Sequence, residues 1–427
     1  MHRIFRTHVY VLAAALALAQ PLAAQTYPTK FSAAVAERAE VKQALAFVDE
    51  RYERQIGEWI SVTEIPAQST HEEKRGAYVK TELEKLGLTV TVDPIGNVSA
   101  RRAGIGGGPT VVFAAHMDTV HPMDTNITVN RKPDNSLHAP GVFDNSASVV
   151  NLLQTARALN AAKVRTDGDI IFLFTVQEEL GLKGMYYWVD HNPKAADMIV
   201  AVDGATGPVN YGALGIYWSK MVFSGEGSHT NLSRDKPNPA RAAAQCITDI
   251  YTIPLPAPGA PVSAIYNVGG MMTAGHVVNA IPQEVTFTVD LRTIDPALLK
   301  SLDDAIVGKC QAAASAQKVT FAREYIQRSE AGGRPDQLTD RRAHPIVQTA
   351  IDVLKHLGVA LPAGGEAVAT GSTDGNVGVV RGIPSIAIGR GTGGDQHTLQ
   401  EWADSASARV ATKQLILLAV ALTDRAR

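Results

Sequence analysis

Apolar positions along the chain follow two spacings, which separate helices from strands. In residues 33–60 they recur every three or four positions, and residues 72–86 form a second helical segment that ends at Gly87. Farther along, continuous apolar runs alternate with a helical segment at 146–160; the runs lie at 89–94, 109–118, 167–179 and 197–204. Because continuous apolar strands separated by helices are typical of a sheet buried on both faces, the pattern predicts an α/β fold.

The pattern changes after about residue 212. Residues 218–228 and 283–295 alternate apolar and polar side chains, as strands with one exposed face do. Helices are predicted at about 238–251 and 296–316, so two strand-then-helix units make a small α+β insert with its helices on one face. The α/β pattern resumes at about residue 330 and includes another buried strand near residues 383–390.

The first residues are typical of a secretory signal peptide. Arg3 and Arg6 precede an apolar run at residues 9–19, and small residues follow it. The run is shorter than the ~20 apolar residues that a bilayer span needs, although an uncleaved membrane anchor is the alternative. We predict three parts: a signal peptide at 1–24, a catalytic domain at 33–212 and 330–427, and an inserted domain at 213–329. Such a protein is exported, periplasmic or secreted, and has no membrane partner after cleavage.

Composition excludes two kinds of chemistry. Lys and Arg number 40 and Asp and Glu number 42, so the formal net charge is -2 and no basic excess exists for a nucleic-acid partner. Two cysteines, Cys246 and Cys310, are too few for a disulfide framework or a cysteine-rich zinc site. In an oxidising compartment they either pair or stay free, and the sequence leaves both alternatives open. A metal site must therefore use His, Asp and Glu.

Candidate metal ligands follow the predicted core strands where those strands end. They are His116 with Asp118, Glu178 with Glu179, Asp203, His397 after a loop, and Asp144 just before a helix. Because ligands of open α/β sheets bind beyond the carboxyl ends of the strands, we expect these side chains to meet at one edge. Histidines and carboxylates without a thiolate suit zinc, with manganese or cobalt as alternatives.

Each candidate also has a purely structural explanation. Asp144 suits a helix N-cap, Asp203 with Gly204 suits a turn, and a single histidine such as His116 is more often structural than a ligand. Acids that follow strands are often solvated loop residues. The combination favours a metal site, because so many such features at one edge of one sheet are improbable as independent occurrences.

The same residues are sufficient for metal-assisted hydrolysis. Two metal ions ~3.5–4 Å apart polarise a carbonyl and activate water, and a carboxylate must bridge ions so close. Asp144 suits the bridge, and the remaining ligands are His116, Glu179, Asp203 and His397. Glu178 is then free to accept the proton of the water and deliver it to the leaving amine. Asp118 is placed to orient His116.

At these residues the sequence resembles the co-catalytic zinc exopeptidase family that contains peptidase T, carboxypeptidase G, carnosine dipeptidases and aminoacylase-1. The matching motifs, in the family's order, are AAHMDTV, GVFDNSAS, QEELGLKG, AVDG, GEGSHT, NAIPQEVTFTVDLR, GSTDGN and GGDQHTLQE. The resemblance implies a catalytic domain with a central mixed, mostly parallel sheet, interrupted by an α+β lid and dimerisation domain. It also implies two zinc ions per subunit, one held by His116, Asp144 and Asp203 and the other by Asp144, Glu179 and His397, with Glu178 as the general base.

The resemblance further implies residues that bind the substrate. His229 matches a lid histidine that in relatives reaches across a homodimer to the substrate carbonyl; alternatively it is a surface histidine. Asn279 and Arg292 match lid residues that hold the substrate, and a guanidinium suits a carboxylate, unless Arg292 pairs with Asp290 or Asp295. The matching substrate-binding turn contains Ser372, Thr373 and Asp374.

The leading hypothesis is an exported di-zinc metallopeptidase that cleaves amide bonds of small peptides, as a di- or tripeptidase or another exopeptidase. A glutamate-carboxypeptidase-like enzyme or an N-acyl-amino-acid deacylase is the first alternative. A periplasmic ligand-binding protein is a remote one, which the spare Glu178 beside Glu179 disfavours. The expected substrate is a small peptide or N-acyl amino acid, and the expected assembly is a homodimer through the lid. The role of Glu401, just after His397, is open.

Overall fold

The computed structural model describes residues 28–273 and 277–425, so the predicted signal peptide at 1–24 lies outside the described residues. The described part contains helices α1 (Ala33–Glu37), α2 (Ala39–Glu50), α3 (Tyr52–Thr63), α4 (Glu73–Glu84), α5 (Ser148–Ala161), α6 (Lys183–His191), α7 (Pro239–Ile250), α8 (Pro296–Gln317), α9 (Pro335–Ala343), α10 (Pro345–His356), α11 (Gly375–Val380) and α12 (Ala408–Thr423). It also contains strands β1 (Thr89–Val92), β2 (Val98–Arg102), β3 (Val111–His116), β4 (Asn130–Arg131), β5 (Ser136–His138), β6 (Ile170–Thr175), β7 (Met198–Val202), β8 (Val209–Asn210), β9 (Gly215–Ser224), β10 (Ser228–His229), β11 (Ala264–Thr273), β12 (Ala280–Ile281), β13 (Glu284–Thr293), β14 (Thr320–Ser329), β15 (Ala367–Val368), β16 (Ser385–Ile388), β17 (Thr392–Gly394) and β18 (Trp402–Asp404).

The largest sheet has its strands in the order β1-β2-β6-β3-β7-β16-β8-β15. The central strands are parallel: β6 pairs in parallel with β3, β3 with β7, and β7 with β16. The pairs β1 with β2, β2 with β6 and β8 with β16 are antiparallel, so the sheet is mixed. This confirms the predicted fold class. The parallel strands point their carboxyl ends in one direction, so the residues that follow them gather at one edge.

Helices cover both faces of this sheet. The four central strands are buried along their whole lengths. Phe113 and Phe172 pack into the cluster that contains the apolar residues of α5 and α12, whereas Val112 and Leu173 pack on the other face with Met185 of α6. Burial on both faces explains why these strands are continuous apolar runs in the sequence.

Helix α12 lies in the larger core. Among the described residues, the stretch Ser405–Thr423 is the one helix long and apolar enough to cross a membrane, with a mean hydropathy of 1.3. Of its most apolar window, 72% is buried inside the protein, and Leu415, Leu418 and Leu422 are fully buried. Packing inside the core accounts for the apolar composition of this helix.

The N-terminal helical segment differs from the sequence expectation in one respect. Instead of one helix over 33–60, the chain forms α1, α2 and α3, with non-helical backbone at Arg38 (ψ 135°) and Arg51 (ψ 7°). The change of direction lets α2 and α3 bury their apolar faces in the same core, where Val41, Ile56 and Trp59 are fully buried. The spacing of apolar residues alone did not show where one helix ends and the next begins.

A second, antiparallel sheet has the order β11-β13-β9-β14. Helices α7 and α8 cover one face of it, and together they enclose a hydrophobic cluster of their own that includes Phe223, Phe287 and Leu302. The α+β insert with helices on one face is therefore confirmed, and α7 and α8 lie where the pattern predicted helices. We call this unit, residues 215–329, the lid; the domain boundaries at 213 and 329 stay predictions.

A disulfide joins the two lid helices. Cys246 of α7 bonds to Cys310 of α8, with their Cα atoms 4.7 Å apart, and both residues are fully buried. The sequence left the pairing open, because only the packing of α7 against α8 brings the two cysteines within bonding distance.

We expect that breaking this disulfide destabilises the lid. The bond closes a loop with a sequence separation of 64 residues, so the chain-entropy argument gives a loss of about 4 kcal/mol in the free energy of unfolding for the Cys246→Ala/Cys310→Ala variant. Urea denaturation followed by tryptophan fluorescence measures this loss. As a control, a reductant should lower the midpoint of the wild type and leave that of the double variant unchanged; equal midpoints for both proteins without reductant would contradict the prediction.

Candidate active site

The ends of the parallel strands bring the predicted ligands to one edge of the sheet. His116 is the last residue of β3, and Asp203 directly follows β7. Glu178 and Glu179 lie in the turn after β6, and His397 lies in the loop between β17 and β18. The structure thus brings together side chains that are far apart in the sequence, as the topology predicted.

Asp144 occupies the middle of this edge. It lies in the turn Val142–Ala147, where its backbone is non-helical (φ -102°, ψ 98°). Helix α5 begins only at Ser148, and no side chain caps it, so Asp144 is not its N-cap. The structural alternative for this residue is therefore excluded, and its carboxylate is available for another purpose.

Two histidines face the two oxygens of the Asp144 carboxylate. The Nε2 atom of His116 lies 3.1 Å from Oδ1, and the Nε2 atom of His397 lies 3.5 Å from Oδ2. The His397 Nε2 atom also lies 3.2 Å from Oε1 of Glu179. One candidate ligand atom from each of His116, Asp144 and Glu179 lies within 4.8 Å of the others. This is the arrangement that a carboxylate bridging two metal positions requires, and the bridging role itself stays a prediction.

The donor set fits a divalent cation. Among the described residues, Asp144 Oδ1 and Glu179 Oε1 are buried oxygen atoms that accept no hydrogen bond of acceptable geometry, although imidazole nitrogens lie close to both and the Arg390 guanidinium lies 3.2 Å from Asp144 Oδ1. Buried charged groups need a charged partner or a metal ion, and zinc takes imidazole and carboxylate ligands. His116, Asp144, Glu179 and His397 are therefore suited to hold a metal ion.

The electrostatics of the edge also favour a cation. Burial raises the pKa of Glu179 and the pKa of Asp203, because both carboxylates lose solvent in a site that already holds negative charge. The side chains of Asp144 and Glu179 raise the pKa of His397 to about 10. Burial alone would lower the pKa of His116, but Glu178, Asp118 and Asp144 outweigh it and raise that pKa well above its usual value.

Asp118 holds both the histidine and the two glutamates. The backbone oxygen of Asp118 lies 3.1 Å from Nδ1 of His116, and its carboxylate oxygen Oδ1 lies 3.4 Å from the same nitrogen. The carboxylate accepts hydrogen bonds from the backbone N–H groups of Glu178 (3.0 Å) and Glu179 (3.2 Å) and from the hydroxyl of Ser69 (2.7 Å). Asp118 therefore contacts His116 and also fixes the turn after β6 through its hydrogen bonds, and its role in orienting His116 stays a prediction.

Glu178 lies beside the cluster without joining it. Its Oε2 atom is 4.0 Å from His116 Nε2, and the side chain is only 8% exposed. Burial raises the pKa of Glu178 well above its usual value, and the neighbouring carboxylates of Glu179, Asp203 and Asp374 add to this despite the opposing effect of His116. A carboxyl group that readily holds a proton in such a place suits a general base and acid.

Arg390 is a site residue that the sequence interpretation missed. It follows β16 and is buried, and its Nη1 atom forms an ion pair with Asp203 and lies 3.2 Å from Oδ1 of Asp144. Its guanidinium lies over the ring of Phe143, 4.4 Å from the centroid. The available signal was a basic residue at the carboxyl end of a buried strand, at an edge otherwise rich in acids.

Glu401 has a structural role that the sequence left open. Its carboxylate, 1% exposed, accepts hydrogen bonds from three backbone N–H groups, those of Gly141 (2.8 Å), Phe143 (2.8 Å) and Asp144 (2.6 Å). The Nε2 atom of His121 lies 3.6 Å from the same carboxylate. Glu401 therefore fixes the turn that carries Asp144, and its position four residues after His397 was the only signal for it in the sequence.

The lid residues form two exposed pairs. Nε2 of His229 lies 3.3 Å from Nδ2 of Asn279, with both residues exposed. Arg292 pairs with Asp290 on the same strand through contacts of 2.9 to 3.1 Å, and both side chains are more than one third exposed. The pairing of Arg292 with Asp290 was one of the alternatives open in the sequence. The substrate-binding roles of His229, Asn279 and Arg292 stay predictions.

The predicted substrate-binding turn lies partly inside the protein. Ser372 is half-buried, whereas Thr373 and Asp374 are 8% and 3% exposed. The hydroxyl of Thr175, at the end of β6, donates a hydrogen bond of 2.5 Å to Asp374. Burial raises the pKa of Asp374 to about 7. Ser372 is thus the most accessible of the three, and their roles stay predictions.

Comparison with known proteins agrees with this geometry. A model of the family described as Peptidase family M20/M25/M40 matches residues 112–421, which is more than half of the chain. The chain belongs to this family. Membership confirms the resemblance seen in the motifs and identifies the M20 chain as a metal-dependent peptide hydrolase.

Individual relatives show how far the similarity of this M20 peptidase extends. Carboxypeptidase G2 from Pseudomonas sp. (strain RS-16) is 24% identical over 329 residues, which cover 73% of this chain and 74% of that protein. The crystal structure of a tripeptidase from Staphylococcus aureus has a TM-score of 0.71 at 20% identity and covers 87% of this chain and 98% of its own. The dipeptidase Dug1p from Saccharomyces cerevisiae has a TM-score of 0.70 at 13% identity, with 90% and 98% covered. The structural likenesses support the fold.

Proposed function

We propose that this M20 peptidase is an exported di-zinc exopeptidase that hydrolyses dipeptides or tripeptides. The observation that carries the proposal is the different environment of two adjacent glutamates. Glu179 contacts His397 within the cluster of candidate ligands at 3.2 Å, whereas Glu178 lies 4.0 Å from His116 at the side of this cluster. A ligand-binding protein has no use for such a spare carboxylate, so hydrolysis is favoured over a receptor function.

The residues at the carboxyl edge of the sheet have different proposed roles in hydrolysis. Divalent ions held by His116, Asp144, Glu179, Asp203 and His397 would polarise the scissile carbonyl and make water a stronger nucleophile at neutral pH. Glu178 accepts the proton of the attacking water and delivers it to the nitrogen of the leaving amine. Asp118 keeps the Glu178 carboxyl group in place through the backbone, because it accepts the N–H group of that residue.

Zinc and export each have an observation in their favour. The candidate ligands are imidazoles and carboxylates, the set that zinc shares with manganese and cobalt. The buried disulfide between Cys246 and Cys310 suits an oxidising compartment such as the periplasm or the medium. Cell fractionation of the full chain and of a chain without residues 1–24 tests export, and equal cytoplasmic retention of both would exclude it.

The lid supplies the proposed substrate contacts. The exposed imidazole of His229 is held by Asn279 and by the backbone N–H of Asn231, which donates to its Nδ1 atom at 3.1 Å. We propose that this imidazole binds the substrate carbonyl, in a homodimer in which the lid faces the partner subunit. Light scattering tests the assembly, and a monomer with full activity would exclude a contribution of His229 to the partner's site.

A carboxypeptidase or deacylase is the second candidate, and Arg292 is the observation in its favour. Its guanidinium is 37% exposed and presents a planar fork that matches a substrate carboxylate. Asp290 currently occupies that fork, so a substrate carboxylate must compete with it. The sequence similarity to carboxypeptidase G2 supports the same candidate.

A matched peptide panel distinguishes the two candidates. Zinc-loaded protein is incubated with a dipeptide and a tripeptide, each free, N-acetylated or C-amidated, and the products are identified by mass spectrometry. If acetylation abolishes cleavage, the free amine is recognised and the di- or tripeptidase function stands. If amidation abolishes cleavage and acetylation does not, the enzyme is a carboxypeptidase or deacylase. No cleavage of any member by zinc-loaded protein would contradict both.

The variant Arg292→Met adds a second test of which end of the peptide substrate the enzyme recognises. If Arg292 binds the substrate carboxylate, the variant raises KM for free peptides about tenfold or more and leaves KM for amidated peptides unchanged, because a charge-assisted bond is lost only for the former. Asp290→Asn is the matched control, since it frees the guanidinium and should lower KM for the same free peptides. Equal KM values for all proteins would remove Arg292 from the substrate site.

A further inference from the structure

Arg390 is held rigidly at the metal edge. Its backbone N–H donates to the oxygen of Gly204 at 3.0 Å, and its backbone oxygen accepts from the amide of Asn151 at 2.8 Å. Its side chain is 1% exposed and lies over the ring of Phe143. A side chain fixed by packing at this many points keeps its charge where it is, in contrast to a surface arginine that can move into solvent.

The charge of Arg390 is directed at one part of the cluster. Its Nη1 atom forms an ion pair with Asp203, lies 3.2 Å from Asp144 Oδ1, and donates to Asn145 Oδ1 at 3.3 Å. Asp203 and Asp144 are the two carboxylates that, with His116, make up one of the two proposed metal positions. The guanidinium therefore satisfies negative charge that a divalent ion at this position would otherwise use.

The other part of the cluster is arranged differently. One ligand atom from each of His116, Asp144 and Glu179 lies within 4.8 Å of the others, and His397 lies 3.2 Å from Glu179. Asp203 is not a member of this close group, and its carboxylate is engaged by Arg390. Asp144 is shared by both proposed positions. Among the described residues, the position of Glu179 and His397 thus differs from that of Asp203, whose carboxylate is paired with a fixed cation.

We propose that Arg390 makes the two metal positions unequal. The chain binds one divalent ion tightly through Asp144, Glu179 and His397, and a second ion, at the position of His116, Asp144 and Asp203, much more weakly. The positive charge of Arg390 opposes the second ion and competes for Asp203. This inference rests on the proposed metal site and adds to it which position loads first and which residue decides the order.

Elementary electrostatics gives the size of the effect. A unit positive charge within several ångströms of a divalent ion weakens its binding by about a hundredfold or more, even at the effective dielectric constant of ~20 that suits protein sites. Burial of Arg390 preserves the effect, because little water and salt reach the pair. We therefore expect the two dissociation constants of the wild type to differ by about a hundredfold or more.

Metal titration of the full chain tests the inference. Protein stripped of metal by a chelator is titrated with zinc in calorimetry against a competing chelator, and bound zinc is counted by mass spectrometry of the metal after equilibrium dialysis. The wild type is expected to bind two ions in separate steps. The variant Asp203→Asn should lose only the weaker step, because Asp203 lies outside the close group.

Two variants of Arg390 separate charge from packing. Arg390→Met keeps an unbranched side chain against Phe143 without the charge, so it should strengthen the weaker step by about a hundredfold or more. Arg390→Lys keeps the charge and should keep the two steps unequal. If the dissociation constant of the weaker step is the same in Arg390→Met and Arg390→Lys, the charge does not cause the difference between the two positions, and the inference is overturned.

The remaining outcomes are also decisive. Two ions of equal affinity in the wild type would overturn this inference and leave the proposed function standing, whereas no bound ion in the wild type would overturn the proposed function itself. Circular dichroism checks the fold of each variant. If Arg390→Met fails to fold, the wild type and Asp203→Asn decide. Two unequal binding steps in the wild type, with loss of only the weaker step in Asp203→Asn, support the inference. Any other pattern contradicts it.

Discussion

Replacement of Glu178 by glutamine is expected to reduce kcat for peptide hydrolysis by about 10²–10⁴-fold or more while the metal content stays unchanged. The amide has nearly the shape of the carboxyl group, but it cannot accept the proton of the attacking water. Glu178 lies 4.0 Å from His116 and outside the close group of ligand atoms, so its replacement leaves the ligands intact. Loss of turnover with retained metal is the combination that a general base predicts.

The measurement pairs steady-state hydrolysis with metal analysis of the same sample. Asp395→Asn is the matched control, because Asp395 is an exposed acid in the loop that carries His397. Its backbone has a positive φ of 57°, which asparagine tolerates well. The control removes one negative charge near the site and should retain near-normal turnover. Near-normal turnover of Glu178→Gln would show that another group takes the proton.

Replacement of Glu401 by alanine is expected to destabilise the protein and to weaken metal binding. The Glu401 carboxylate accepts the buried N–H groups of Gly141, Phe143 and Asp144, so alanine leaves three donors without an acceptor. Each such donor costs about 1–3 kcal/mol, which gives a total loss of several kcal/mol in the free energy of unfolding. The same loss frees the turn that carries Asp144, so the dissociation constant for zinc should rise by about tenfold or more.

Thermal unfolding and zinc competition assays measure the two effects. Glu401→Gln is the informative partner, because it keeps one acceptor oxygen and should fall between the wild type and Glu401→Ala in both assays. Glu50→Ala removes the same type of side chain from an exposed position at the end of α2 and should change neither quantity. Wild-type stability and zinc affinity in Glu401→Ala would show that the turn is fixed by other contacts.

Buried acids that accept backbone N–H groups are a common device at this edge. Asp118 accepts the N–H groups of Glu178 and Glu179, and Glu401 accepts that of Asp144. Glu72, 5% exposed, accepts the N–H group of Gln177 at 2.9 Å. The turns that carry the candidate ligands are thus fixed by carboxylates, which form strong hydrogen bonds with N–H donors. The ligands are therefore held before any ion binds.

Part of the site could be predicted from the sequence because it depends on local patterns and topology. Continuous apolar runs identified β3, β6, β7 and β16, and parallel pairing of those strands placed His116, Glu179 and Asp203 at one edge. The bridging position of Asp144 followed from the need for one carboxylate between two groups of ligands, and the structure places His116 and His397 on its two sides. The domain boundaries, the cleavage of the signal peptide, the number of metal ions and the end of the substrate that is recognised stay predictions.

The residues that the sequence did not reveal act through contacts over long separations. Arg390 reaches Asp203 across 187 residues, and Glu401 reaches the N–H group of Gly141 across 260. A carboxylate or guanidinium in a loop has the same appearance in the sequence whether it is solvated or buried, and only packing decides between them. The same reason explains the pairing of Cys246 with Cys310.

The sequence by itself determined the α/β core, the α+β lid and the set of His, Asp and Glu ligands, because apolar periodicity and strand order are encoded in neighbouring residues. The tertiary structure alone decided which charges are paired inside the protein. It placed Arg390 against Asp203 and Glu401 beneath the turn of Asp144. Ion pairs and buried hydrogen bonds depend on distances between side chains, which exist only after the chain has folded.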